Sequence, residues 1–190
     1  MPRSPAQALL LVDGYNVIGA WARLKEVRDR HGLEDARREL IEALIGYSSY
    51  QDYETQVVFD AQYQDTPGSR DVITPYVSVQ YTDFRQTADS YIEMVCSRFR
   101  NEYRKFHQRL IVATSDRAQQ QTVVGYGAEW MSALRLQSEV ESAGKRVRVR
   151  QQSKGRSPGR LLASSLDPKA QEQLAKMRFG VDTPPPAAQK

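Results

Sequence analysis

The chain has 190 residues, 40% of them hydrophobic and 26% charged, with a formal net charge of +4. This is enough apolar material for the core of one ordinary domain, and the basic surplus is compatible with an anionic partner. The single cysteine, Cys96, excludes an intrachain disulfide and a thiolate zinc cluster, and His31 and His107 are too few for a histidine-rich metal site.

The first apolar run, Ala8–Val12, has strand composition and ends at Asp13-Gly14. It is too short for a signal peptide, and no later run approaches the roughly 20 apolar residues that span a bilayer, so the expectation is a cytoplasmic protein with no membrane partner. Leu33, Ala36, Leu40, Ile41, Leu44 and Tyr47 recur at 3–4 spacing and predict a helix over 33–48. Gln56–Phe59 and Val77–Tyr81 read as the second and third strands. A stripe of Ile92, Val95, Cys96, Phe99, Tyr103 and Phe106 predicts a longer helix starting near Ala88, with Thr87 as its N-cap. A fourth strand follows at Leu110–Ala113, then a helix from Ser115 or Asp116 to Val124, broken by Gly125-Tyr126-Gly127. A short fifth strand falls within 128–132, and a last helix, Ala133–Ala143, is expected to stop at Gly144.

Strands alternating with helices predict an α/β domain over residues 1–143, three layers deep, with helices on both faces of a central, mainly parallel sheet. Residues 144–190 form a basic extension. Between Gly144 and Arg160 it carries Lys145, Arg146, Arg148, Arg150, Lys154, Arg156 and Arg160 and no acid. Lys145 to Arg150 alternates charge with valine, which suits either an edge strand with one basic face, able to contact RNA phosphates, or a solvated linker. A short helix over 167–179 is expected, with Asp167 as N-cap, Pro168 at its first position and Gly180 past its end; the proline run at 184–186 reads as disordered.

In an open parallel sheet, ligands bind outside the carboxyl ends of the strands. The first strand ends at Asp13, the second at Asp60, the third near Asp83 and the fourth just before Asp116, while Asp89 lies in the first turn of the helix after Thr87. Acids gathered at one edge repel one another unless they are protonated or bridged by a cation. Oxygen ligands with so few histidines favour Mg²⁺ or Mn²⁺, ions that activate water and stabilise charge in phosphoryl displacement. Each acid also has a structural reading. Asp116 and Gln119 have capping-box spacing, Asp89 suits a helix N-terminus, and Asp83 equally reads as a loop residue and is left out of the cluster. Glu93, one turn beyond Asp89, is a weaker candidate. The chain has no GxxxxGK[ST] loop, no GxGxxG after a strand and no histidine base placed for Ser115 or Cys96.

Leu10-Leu11-Val12-Asp13-Gly14-Tyr15-Asn16-Val17-Ile18, with Gly19-Ala20-Trp21 after it, resembles the opening motif of the YacP-like branch of the NYN domains. Val57-Val58-Phe59-Asp60-Ala61, Thr87-Ala88-Asp89 with Ile92-Glu93, and Val112-Ala113-Thr114-Ser115-Asp116 agree in order and spacing, so the resemblance covers about residues 8–143. It implies a PIN-like fold and a metal-dependent endoribonuclease acting on RNA, ribosome-associated RNA included. It carries the metal-binding acids over to Asp13, Asp89 and Asp116, sets Asn16 beside them as a polar catalytic group, and matches Asp60 to a further family position. The chain departs at Ser90, where members can carry an acid.

Three functions compete on these residues. The leading one is a nuclease in which Asp13, Asp89 and Asp116 hold the metal and Lys145, Arg146, Arg148 and Arg150 help seat RNA. The second is an RNA- or ribosome-binding module that keeps the fold without cutting. The third is a metal-dependent phosphatase for a small ester. Tyr15 and Trp21 read as packing residues or as surfaces for stacking a base.

Overall fold

The structure is a computed structural model that describes residues 6–60 and 68–155, with side chains described as far as 150. The chain divides into two compact units, Met1–Val147 and Arg148–Lys190. The predicted helix over 167–179 and the proline run lie outside the described residues.

In chain order the elements are β1 (Ala8–Asp13), α1 (Gly14–Ala20), α2 (Ala22–His31), α3 (Leu33–Gln51), β2 (Tyr53–Phe59), β3 (Ser69–Val72) and β4 (Val77–Tyr81). After these come α4 (Ala88–Asn101), a 3-10 turn (Tyr103–Phe106), β5 (Arg109–Ala113), α5 (Arg117–Gly125), β6 (Glu129–Met131) and α6 (Ala133–Gly155). The strands form a six-stranded sheet in the order β3-β4-β2-β1-β5-β6, parallel except for the β3–β4 pair.

Alternation along the buried strands supplies both faces of the sheet. Ala8, Leu10 and Val12 of β1 face one core with Val57, Phe59, Ile111 and Ala113, closed by Val17, Ile18, Trp21, Leu40, Leu44 and Leu136 from the helices. Leu9 and Leu11 face the other with Val58, Leu110 and Val112, closed by Ile92, Cys96 and Phe99 of α4 and Val123 of α5. The expected three-layer α/β architecture is what the chain adopts. Two polar bonds hold α6 to the first layer. The Trp21 indole donates to the Ala133 carbonyl at 2.7 Å, and the Tyr47 hydroxyl donates to Glu139 at 2.6 Å.

Four sequence expectations need correction. The helix from Ala88 ends at Asn101, so Tyr103 and Phe106 of its predicted stripe lie beyond it in the 3-10 turn and are exposed. Residues 14–31 form two helices, where the sequence reading assigns no element. Val17, Ile18, Trp21 and Leu24 are buried at helical spacing, so the signal was present in the sequence. The antiparallel strand β3 is also absent from that reading. All four of its residues are exposed, and pairing with β4, from Ser69↔Tyr81 to Val72↔Ser78, is what defines it. Gly144 does not stop the last helix, which runs on to Gly155. A single helical glycine costs only about 1 kcal/mol, and the lysine, arginine and glutamine residues that follow are good helix formers. The edge-strand reading of Lys145 to Arg150 therefore fails, and those cations do not share one strand face.

Candidate active site

Asp13 is both the last residue of β1 and the N-cap of α1. Its Oδ1 accepts the Asn16 backbone N–H at 3.1 Å. No loop separates strand from helix, and Gly14 makes this possible. A Cβ there would lie 2.2 Å from the ring of Phe59, which is fully buried. The close approach that calls for glycine is thus to an aromatic ring of β2. Tyr15 stacks tilted on the same ring, 5.1 Å between centroids, and its hydroxyl accepts from Arg37 at 2.5 Å. Tyr15 and Trp21 are packing residues.

The neighbouring strand ends bring up the other acids. Asp60 follows β2, and its Oδ1 accepts the Ala88 N–H at the start of α4. Thr87 caps the same helix by accepting the Ser90 N–H at 3.1 Å. Doubly held, the first turn of α4 sets Asp89 beside the strand ends, with Glu93 one turn further on. Beyond β5, Asp116 caps α5, its Oδ1 accepting from Ala118 at 2.7 Å and from Gln119 at 3.1 Å. The capping box is only half made, because the Asp116 N–H donates to the Thr114 hydroxyl at 3.1 Å. The Gln119 side chain is buried, with neither amide atom bonded among the described residues. Unsatisfied groups of this kind are rare in folded proteins and often accompany functional sites.

Asn16 joins the two halves of the site. Its side-chain Oδ1 accepts the Ser115 N–H at 2.6 Å, tying the start of α1 to the loop between β5 and α5. Ser115 in turn accepts the Ala133 N–H on its Oγ at 3.2 Å. Thr114 and Ser115, which the sequence analysis did not single out as functional, thus position Asp116 and Asn16. Small hydroxyl residues between a strand and an acid were the available signal.

Asp13 is only 8% exposed, and its carboxyl is pushed up to about 6. Burial is the largest cause; the Asn16 hydrogen bond opposes it, and the charges of Asp89, Asp60 and Asp116 add to it. Asp89 is also raised, by partial desolvation and then by Asp116, Asp60 and Glu93. Asp13, Asp60, Asp89 and Asp116 therefore share one electrostatic field, with Glu93 at its margin. Asp83 stands apart and accepts the Gly68 N–H at 2.6 Å.

The donor set suits a hard divalent cation. The groups that raise one another's pKa here are all carboxylates, and among the described residues the Asp89 carboxylate and the second oxygens of Asp13 and Asp116 make no hydrogen bond. As placed, no group of three or more His, Cys, Asp or Glu among the described residues is close enough to hold an ion. Asp89 is an exposed side chain that a rotamer change moves, whereas Asp13 is held by burial and Asp116 by its two cap hydrogen bonds. A bound cation would offset the mutual repulsion of these acids. Of the basic candidates, Lys145 and Arg146 are exposed on α6 within the first unit, and Arg148 and Arg150 lie exposed beyond the division.

A mostly parallel sheet with acids gathered at its carboxyl edge defines the chain as an α/β domain with a candidate acidic site. Residues 10–179 match the YacP-like NYN domain, and the chain belongs to that family. The match extends past residue 143 and takes in residues 144–179 of the basic extension. The chain is 37% identical over 159 residues to protein YacP of Bacillus subtilis (strain 168), covering 82% of this chain and 89% of that one. It is also similar to two crystal structures of Rae1 (YacP) from Bacillus subtilis. One, of a point mutant with leucine in place of a tryptophan, matches with a TM-score of 0.65 and 31% identity over 89% of this chain and 99% of that chain. The second matches with a TM-score of 0.61 and 33% identity, over 90% and 95%. Membership in the family brings a nuclease-like, RNA-related function. Among the described residues no helix is long and apolar enough to cross a membrane.

Proposed function

We propose that the chain is a cytoplasmic, metal-dependent endoribonuclease that hydrolyses RNA phosphodiester bonds, with ribosome-associated RNA among its substrates. The observation that carries this reading is Asp13, a buried acid whose carboxyl is pushed up to about 6 with Asp89, Asp60 and Asp116 in its field. Holding so much like charge at one sheet edge is costly unless the site serves a cation. Mg²⁺ or Mn²⁺ bound there supplies charge neutralisation and an activated water. Asp13, Asp89 and Asp116 are the ligands. Asn16, its oxygen committed to Ser115, keeps its side-chain N–H groups to donate to a phosphate oxygen. In the reaction water adds to phosphorus, one P–O ester bond breaks, and the leaving oxygen takes up a proton. Lys145, Arg146, Arg148 and Arg150 offer phosphate contacts along the strand.

The test is cleavage of single-stranded and structured RNA with and without Mn²⁺, comparing wild type with Asp13→Asn and Asp116→Asn. Loss in both variants and in EDTA is the expected result; equal cleavage by all three proteins, or cleavage that survives chelation, sinks the proposal. The non-catalytic RNA-binding alternative is favoured by one observation. Ser90, next to Asp89, is uncharged and its hydroxyl is engaged with Thr87 at 2.9 Å, so the first turn of α4 presents a single carboxylate. That alternative predicts salt-sensitive RNA binding, unaffected by Asp13→Asn, and no product.

A further inference from the structure

The loop between β4 and α4 carries two exposed residues, Phe84 and Arg85. Phe84 is 54% exposed, and Arg85, also exposed, holds its guanidinium carbon 5.2 Å from the centre of the Phe84 ring. Arg85 has a φ of 69°, a left-handed conformation uncommon for a residue with a side chain. The loop is not slack. The Thr82 N–H donates to the Phe59 carbonyl at 3.0 Å, Gln86 N–H to the Asp83 carbonyl at 2.9 Å, and Asp83 holds Gly68. At its far end Thr87 caps α4, and the Ala88 N–H is bonded to Asp60.

These bonds also locate the loop. Phe59 and Tyr81 are register partners at the carboxyl ends of β2 and β4, so Phe84 emerges at the same sheet edge as Asp60 and precedes Asp89 by one short turn. An exposed aromatic ring with a cation over it therefore lies on a loop at the sheet edge that carries the acids. Carboxylates repel a polyanionic substrate, and the rim needs an attraction that does not depend on charge alone. Base stacking on an aromatic ring supplies it without regard to sequence, and a neighbouring arginine adds a phosphate contact.

We propose that Phe84 and Arg85 form a nucleobase subsite that takes an unpaired nucleotide next to the bond to be cut, so that the site prefers single-stranded RNA. This rests on the nuclease reading given above. Phe84 is the stacking platform and Arg85 is its phosphate contact. A base locked in a duplex cannot lie on the ring, so paired RNA gains nothing from it.

The experiment is equilibrium binding of a short single-stranded RNA carrying 2-aminopurine, beside the same sequence as a blunt duplex, to the full chain. Wild type should bind the single strand more tightly and quench its fluorescence. Phe84→Ala should lose about tenfold in affinity, together with the quench. Phe84→Trp should restore both, and Phe84→Leu, apolar but without a π face, should restore neither. Asp116→Asn, which leaves the ring in place, should keep the quench. Equal affinity and quenching by wild type and Phe84→Ala overturns the proposal, as does a wild type that shows no preference for the single strand. Quenching by a wild type that cuts no RNA leaves the subsite standing and removes the nuclease reading.

Discussion

The Asn16 side-chain oxygen accepts the backbone N–H of Ser115 at 2.6 Å, joining residues 99 apart in sequence. The bond crosses between two sheet-to-helix junctions. One is Asp13 running into α1 without a loop, and the other is Thr114-Ser115-Asp116 leading into α5. Each junction uses an aspartate as helix cap, so the residues that start the helices are also the acids of the site. Asn16 sets the spacing between these two caps.

Asn16→Ala should therefore affect both stability and activity. Losing the acceptor leaves the Ser115 N–H to solvent, at a cost of about 0.5–1.5 kcal/mol by urea denaturation. RNA cleavage should fall further than stability does, because Asp116 loses its fixed distance to Asp13. Asn16→Asp keeps an acceptor but adds a charge to the cluster, so it should fold better than the alanine variant while still losing activity. Full cleavage by Asn16→Ala would show that the tether is dispensable.

Asp116 separates capping from chemistry. Asn caps helices as well as Asp does, so Asp116→Asn should unfold within a few tenths of a kcal/mol of wild type, whereas Asp116→Ala should lose about 1 kcal/mol. Both should lose metal-dependent cleavage. An asparagine variant that still cuts at the wild-type rate would leave Asp116 as a cap alone.

Two glycines should respond in opposite directions. Gly14→Ala places a methyl against the fully buried Phe59 ring, which has nowhere to move, and should destabilise by about 1–3 kcal/mol or more. Gly144 lies inside α6, where an added Cβ meets nothing within 4 Å. Gly144→Ala should stabilise by about 0.5–1 kcal/mol. Melting temperatures of the two variants, measured side by side, check both signs, and a neutral Gly144→Ala would show that the helix gains nothing at that position.

Sequence reveals what periodicity and end signals encode. The buried strands announced themselves because Ala8–Val12 and Leu110–Ala113 are apolar on both faces, and Thr87 and Asp116 were readable as caps. Strand β3 was not legible, since Ser69 to Val72 has no apolar pattern and exists through pairing with β4. Gly144 misled because its cost is local, while the helix is decided by the residues on both sides of it. At the site, Asp13, Asp60, Asp89 and Asp116 were legible as strand-end and helix-start acids. The Asn16–Ser115 bond was not, because no local pattern encodes a contact between residues so far apart. Phe84 and Arg85 escaped for another reason: an exposed pair has no periodicity, and its place on the rim appears only once β2 and β4 are set in register.

Asp13 makes the sharpest prediction, because its sign is fixed. Its folded carboxyl, at about 6, lies above the ordinary value of 3.8, so the folded state binds the proton more tightly than the unfolded one. The contribution of Asp13 to stability then falls as pH rises from about 4 through 6, and above that its buried charge costs on the order of 3 kcal/mol. Asp13→Asn removes the charge and keeps an oxygen for the Asn16 N–H. In EDTA at pH 8 the variant should be more stable than wild type by about 1–3 kcal/mol, and below about pH 4 the two should converge. Adding Mn²⁺ should reverse the order at pH 8, because the cation offsets the charge of Asp13 and gains less from the amide. Urea denaturation across this pH range, with and without the metal, checks all three. A difference in stability between wild type and Asp13→Asn that stays flat between pH 4 and 7 would mean that Asp13 is not the strained acid its surroundings make it. A variant stabilised by Mn²⁺ as much as wild type would take Asp13 out of the metal site.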